Sequence, residues 1–423
     1  MLGLHNRRPA GYNAGMAVAR LPLLALLAAA VLPACAPVSI STDFECARLG
    51  RVDRRSETHF VCAVEGQADR DGRNRQVTWY AFRLENAKGR EVTVTLTDLR
   101  GEYDYKPARI AITDEIPPVV STDGVTWSHL PAVTHDAKAG TTTLRLAPGT
   151  DRLWVAHVEP YGWMRLLGFL DRVGGHPHLR RESAGKSVEG RDLWLLTITD
   201  PAVPDAGKRV AWLMCRQHAW ESGTSFVGEG AVDFLLSDAA AVLRRETVFK
   251  VFPMLDPDGV VRGAVRFNRN GLDLNRNWDT CDLAGDRDRA LMPEIWHAKR
   301  AIGAWLDGGG RIDLFLTLHN QEKGGWMSGS ARHGDLAKRL FAELKERTTC
   351  DLPGAAPVPP GARPAAGRMT VYQYLDLERG VPAFLLEQGV ARDARLGRLP
   401  TSQDRLAFGR ELAQAMARSV LGP

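Results

Sequence analysis

The chain contains no cluster of lysine and arginine interleaved with aromatic residues, no internal repeat and no low-complexity tract. The first absence removes the footprint of a nucleic-acid-binding protein, and the other two remove solenoids and disordered arrays. Cysteine is scarce, six in 423 residues, and none has the paired spacing of a structural zinc site. With 41 Gly, 24 Pro, 44% hydrophobic and 25% charged residues, the composition excludes a collagen, a coiled coil and a largely disordered chain. Charge is also unremarkable. Removing Arg7, Arg8 and Arg20, which flank or precede an apolar segment, takes the net +5 to +2 because residues 1–34 contain no Asp or Glu. What is present is length: 423 residues suit two domains or three small ones.

The apolar segment Leu21–Ala34 is 14 residues long, short of the roughly 20 that span a bilayer. A basic flank, a short apolar core and small residues before a cut describe a secretory signal over residues 1–34. Met16 makes a tighter start for it than Met1. Leu32-Pro33-Ala34-Cys35 resembles the bacterial lipobox, so Cys35 is expected to be lipidated, with ordinary cleavage nearby as the alternative. The expected location is the periplasm, or a bacterial membrane surface through a lipoprotein anchor. In an oxidising compartment cysteines can pair: Cys46 with Cys62 is the expected bridge, Cys281 with Cys350 a second, and Cys215 reads as a buried free thiol.

From about residue 40 to 163 short runs alternate apolar and polar residues between turn signals, as in Val77–Glu85, Glu91–Leu99, Thr141–Ala147 and Arg152–Glu159. Period-two runs with almost no helical spacing indicate an antiparallel β sandwich. From 164 to 423 the texture changes. Leu193–Thr199, Arg209–Cys215, Thr247–Leu255, Ile312–His319 and Ala383–Glu387 read as buried strands, separated by helix-like segments such as Asp335–Arg347. That order implies an α/β domain whose mixed, largely parallel sheet carries helices on both faces. Pro353–Gly367 reads as a Pro/Gly/Ala-rich loop within it.

Polar residues gather where those strands end. His218 and Glu221 follow Arg209–Cys215, His319 closes Ile312–His319, and Glu387 closes Ala383–Glu387. Ligands of open α/β sheets bind beyond the carboxyl ends of the strands, so four such groups on three strand ends point to one site. Two His and one carboxylate from different strands suit a catalytic zinc with an open fourth position. A lone His-x-x-Glu is more often a solvated turn; placement at the strand ends is what favours His218, Glu221 and His319 as ligands. Asp256–Asp279, dense in Asn, Arg, Asp and Gly, reads either as a polar surface loop or as an Arg fork with amide donors that grips a carboxylate. The remaining histidines read as surface or core residues.

With His218-Ala219-Trp220-Glu221, Asp256-Pro257-Asp258-Gly259, Gly271–Trp278, Leu318-His319 and Leu385-Leu386-Glu387 in that order, the chain resembles the zinc metallocarboxypeptidases. Trp79–Glu85, Thr122–Trp127, Val155–Gly162 and Ser187–Thr199 make it most similar to the cytosolic-carboxypeptidase group, in which a β sandwich precedes the catalytic domain. The resemblance implies hydrolysis of C-terminal residues of peptides or proteins, with one zinc ion held by His218, Glu221 and His319. It implies Glu387 as the general base toward a metal-activated water, Arg266 stabilising the oxyanion, Asn275 and Arg276 gripping the terminal carboxylate, and Tyr372 as a mobile lid residue. Counting from Tyr372 places Arg379 near the base of the side-chain pocket, with Arg368 as the other candidate; either would favour Glu or Asp ends, whereas Asp376 or Glu378 turned inward would favour Lys or Arg. Ala219-Trp220 departs from the group's usual Pro-Gly. A hydrolase of cell-wall peptides or another amide, and an inactive binding module, are the alternatives on the same scaffold.

Overall fold

The computed structural model describes residues 36–422 apart from 350, 353 and 359–362. The signal read in residues 1–34, the lipidation of Cys35 and Cys350 as a bridge partner lie outside the described residues.

Alternation builds the first layer. In Val92–Thr97, Val92, Val94 and Leu96 are buried while the intervening threonines are half-buried, because successive side chains of a strand point to opposite faces. One five-stranded sheet runs in the order Ser39–Ser41, Ala81–Glu85, Leu153–Ala156, Val119–Ser121, Ser128–His129. The facing sheet runs Thr134–Asp136, Thr141–Leu146, Val92–Thr97, His59–Ala63, Val52–Arg54. Phe82, Leu84 and Val155 from the first meet Phe60, Val94 and Leu144 from the second in one core. The pairing is antiparallel except between His59–Ala63 and Val92–Thr97, which run parallel. The chain between them passes through Ala81–Glu85 of the other sheet, so it returns in the same direction.

The second layer is an eight-stranded mixed sheet in the order Leu179–Lys186, Asp192–Ile198, Thr247–Phe252, Arg209–Met214, Leu314–Gln321, Ala383–Gly389, Trp326–Ser330, Gly354–Val358. The three ladders at its centre are parallel. Its central strands are buried on both faces, and their alternate residues enter two different cores. Ala211, Leu213, Leu316 and Leu386 pack with Phe226 and Leu412 of helices Ser222–Leu236 and Ser402–Leu421. Val210, Trp212, Phe315 and Leu385 pack with Ile295 and Leu375 of helices Pro293–Asp307 and Val371–Arg379. Helices 222–236 and 402–421 touch backbone to backbone: a Cβ on Gly230 would lie 2.1 Å from Leu406 O, and one on Gly409 2.1 Å from Val227 O. Only glycine permits that approach.

Two expectations need correction, and one helix goes beyond them. Cys46 and Cys62 are separate free thiols. Cys62 points into the sandwich core, whereas Cys46, in a turn at φ +68°, packs in the core shared with the eight-stranded layer. Burial pushes both thiols up to about 12. The Pro353–Gly367 loop contains the strand Gly354–Val358, paired in parallel with Trp326–Ser330. The 20-residue helix Ser402–Leu421, opened by a Thr401/Asp404 capping box, closes one face of the sheet and was not read from the sequence. Both layers belong to one compact unit, Pro37–Pro423, and no helix among the described residues is long and apolar enough to cross a membrane.

Candidate metal centre and active site

The parallel strands deliver their C-terminal residues to a common edge. His319 and Glu387 are register partners on neighbouring strands. Beyond Met214 the chain turns at Arg216, in the left-handed region at φ +59°. The buried Arg216 guanidinium braces this turn by donating to Ala219 O at 2.8 and 2.6 Å, and Trp220 N–H donates to Val265 O at 3.0 Å. Ala219-Trp220 is therefore held without the proline and glycine common in its place. Glu221 stands at the N-terminus of helix Ser222–Leu236, where the helix dipole favours a carboxylate.

His218 Nδ1 lies 2.8 Å from Glu221 Oε1, and His319 Nδ1 lies 3.0 Å from Glu221 Oε2. All three residues are buried, with ligand atoms within 4.8 Å of one another. Burial alone would push Glu221 up, but the two imidazoles outweigh it and hold the carboxyl below its ordinary range. The outer nitrogens are fixed as well. His218 Nε2 is 3.0 Å from Asp273 Oδ1; His319 Nε2 is 3.1 Å from Thr317 Oγ1 and 3.2 Å from Asn275 Nδ2. Such outer partners orient imidazole ligands. Glu387 lines the same pocket, and its Oε2 is buried without a hydrogen-bond partner. Burial, reinforced by the Glu221 charge, holds this carboxyl well above its ordinary range. Two imidazoles, a carboxylate, oriented outer nitrogens and an orphaned acceptor beside them fit a zinc ion.

Asp273 was not singled out from the sequence, although it lies inside the Gly271–Trp278 motif. It joins two parts of the site, with Oδ1 on His218 and Oδ2 accepting from Arg266 Nε at 2.8 Å. Gln67, from the sandwich layer, was also missed. Its Oε1 accepts from the N–H groups of Val265, Arg266 and Phe267 at 2.9, 2.7 and 2.9 Å, and its Nε2 donates to Phe267 O at 2.7 Å. Nothing in the local pattern around Gln67 distinguishes it, since its partners lie about two hundred residues away.

A pocket of ≈ 310 Å³ brings together His218, His319, Glu387, Arg266, Asn275, Arg276 and Tyr372. Tyr372 sits in the first turn of helix Val371–Arg379, fixed by a Thr370/Gln373 capping box, with its hydroxyl 3.4 Å from Ser328 Oγ. Arg368 and Trp326 line this pocket too. Arg379 is not among the lining residues: at the far end of the same helix, its guanidinium donates to Asp307 at 2.6 Å. It lies seven residues beyond Tyr372 in the helix, roughly 10 Å along the axis, so counting onward from the tyrosine leads away from the pocket. Asp376 packs 3.1 Å from His333, and Glu378 pairs with Arg363. A larger cleft of ≈ 1010 Å³ shares Tyr103, Arg266, Trp326 and Glu387 with the pocket and is lined also by residues of the sandwich and by Trp220 and Glu322.

Residues 167–325 match the zinc carboxypeptidase family, and residues 40–157 match the cytosolic carboxypeptidase N-terminal domain. Mouse cytosolic carboxypeptidase 6 is 32% identical over 251 residues, 56% of this chain and 45% of that protein; the human protein is likewise 32% identical. The chain thus spans about half the length of the curated relatives it matches. The crystal structure of a metallo-carboxypeptidase from Burkholderia cenocepacia superposes with a TM-score of 0.77 at 25% identity, covering 90% of this chain and 98% of that one. One from Pseudomonas aeruginosa shares the fold at a TM-score of 0.72 and 22% identity. Both layers are matched in order, with the His-x-x-Glu turn and the second histidine inside the matched region: residues 167–325 carry a zinc carboxypeptidase domain and residues 40–157 a cytosolic carboxypeptidase N-terminal domain.

Proposed function

We propose that this chain is a zinc-dependent carboxypeptidase that removes C-terminal residues from peptides, with one zinc ion held by His218, Glu221 and His319. The observation that carries this reading is the convergence of that ligand trio with Glu387, Arg266 and Asn275-Arg276 on one pocket. Zinc, when bound, supplies a Lewis acid for the scissile carbonyl and lowers the pKa of water.

The protein's own groups divide the remaining work. Arg276, planar and always charged, suits two-point binding of the terminal carboxylate, with Asn275 beside it. Gripping the chain end there brings the last peptide bond toward Glu387. Arg266, fixed by Asp273, offers its charge where the carbonyl oxygen becomes negative. Glu387 takes a proton from the attacking water at its unpartnered Oε2 and passes it to the departing amine. Tyr372 stands in the pocket wall beside them.

The finer reading is a preference for acidic C-terminal residues. Arg266 is committed to Asp273 and Arg276 to the chain end, which leaves Arg368 as the pocket guanidinium that faces a departing side chain. We read the location as the periplasm or a membrane surface, a proposal that rests on the signal-like residues 1–34 and the lipobox-like Cys35, and the mass of the mature N-terminus tests it. The test of the reaction itself is metal content together with turnover of blocked dipeptides. Stoichiometric zinc and chelator-sensitive release of the terminal residue are expected; turnover that survives complete removal of metal would refute it.

A further inference from the structure

The sandwich layer reaches the pocket through the short hairpin formed by Glu102–Tyr103 and Lys106–Pro107. Its two central residues, Asp104 and Tyr105, are both left-handed, at φ +50° and +63°, the geometry of a tight turn that matches strand twist. The base of the hairpin is tied down: Glu102 N–H donates to Arg75 O at 2.7 Å, Gln76 Nε2 donates to Glu102 O at 3.0 Å, and Glu102 Oε2 accepts from Asn74 N–H at 2.7 Å. The tip is therefore aimed. Tyr103 lays its ring 5.5 Å from the Arg266 guanidinium, and Asp104 Oδ1 accepts from Arg368 Nη2 at 2.6 Å.

We propose that Asp104 is a specificity-determining residue whose carboxylate holds Arg368 in the place that the side-chain carboxylate of an acidic C-terminal residue would take, and is exchanged for it on binding. This rests on the acidic-end reading of the pocket. The Asp104–Arg368 pair is about 40% exposed at both ends, and pairs of that kind contribute only about 0.2–1 kcal/mol, so a substrate carboxylate meeting the guanidinium fork displaces Asp104 at little cost. A neutral terminal side chain leaves the pair intact, and Arg368 then never faces an apolar group without a counter-charge. Asp104 thus widens the range of accepted ends while lowering affinity for acidic ones.

The test compares kcat/KM for blocked dipeptides ending in Glu and in Leu. Asn tolerates the left-handed turn conformation, so Asp104→Asn keeps the hairpin while removing the charge. Its Glu-to-Leu ratio is expected to rise roughly two- to fivefold over the parent, chiefly through KM, matching the strength of an exposed pair. Arg368→Gln should collapse the ratio, and Asp104→Asn on that background should change it no further. A ratio that stays level or falls in Asp104→Asn, or that still rises without Arg368, overturns the role of Asp104. The reading beneath it fails separately: if Arg368→Gln leaves the ratio of the parent untouched, the pocket does not select acidic ends, and both fall.

Discussion

His319 and Glu387 face each other as register partners on adjacent parallel strands, so one peptide-to-peptide ladder sets the separation between the candidate metal ligand and the candidate base. Neither can move along its strand without breaking the pairing that holds the other. Because Glu387 is outside the ligand trio, Glu387→Gln should retain zinc at parent stoichiometry while kcat falls about a hundredfold or more, the usual scale for loss of a general base. Metal analysis and steady-state kinetics on the same preparation check this, and near-normal turnover would make Glu387 structural.

Removing a ligand should behave differently. His319→Ala leaves Glu221 and His218 with one nitrogen fewer, and zinc should dialyse away under conditions in which the parent keeps it. Retention as tight as in the parent would remove His319 from the metal centre.

Asp273 serves two masters, His218 Nε2 and Arg266 Nε. Asp273→Asn keeps the shape but removes the charge that both partners face. Zinc affinity should fall about 10- to 100-fold, as for other outer partners of ligating histidines, and kcat should fall even at saturating zinc because Arg266 is no longer held. A loss confined to metal affinity would show that Arg266 is positioned without Asp273.

Glu294 gives a pH signature remote from the metal. It is fully buried, with its carboxyl oxygens accepting from Asn268 Nδ2 at 2.9 Å and Val188 N–H at 3.3 Å. Burial pushes its carboxyl up to about 7. A carboxyl raised on folding contributes stability that is complete below its unfolded pKa, about 4.3, and is lost as pH rises through the folded value. Between pH 5 and 8 the parent should lose up to about 3 kcal/mol through this group. Glu294→Gln, which cannot ionise, should lose less, so the stability difference should shift in favour of the variant as pH rises. Parallel denaturation profiles across that range would clear Glu294 of the effect.

Much of this was legible in the sequence, for physical reasons. The five buried strands of the catalytic layer announce themselves because a strand covered on both faces must be apolar throughout, and a polar residue at the end of such a run, like His319, has nowhere to be but at the sheet edge. The sandwich strands were legible from the opposite signal, alternation. What could not be read came from contacts across the chain. Cys46 and Cys62 are sixteen residues apart in sequence but point into different cores. Gln67, Tyr103 and Asp104 act on Arg266 and Arg368, far along the chain, from turns with no periodicity. Arg379 was misplaced because loop counting ignores the 1.5 Å rise of a helix, while Arg368, just before the Thr370 cap, lies on the pocket side of it.

The Gln67 clamp sets a rule for anyone building a smaller protein from this one. One side-chain amide answers three backbone N–H groups and one carbonyl around Arg266, and each such group left unanswered away from water costs about 1–3 kcal/mol. The eight-stranded half cut free of the sandwich, or fused to a foreign leader, would carry Arg266, the proposed oxyanion arginine, on an untethered segment. Shortening Gln67 to alanine in the intact protein should imitate that surgery, lowering kcat more than it raises KM. A minimal or chimaeric protein made from this scaffold as a carboxypeptidase must therefore import an amide donor and acceptor at this position along with the proposed zinc ligands.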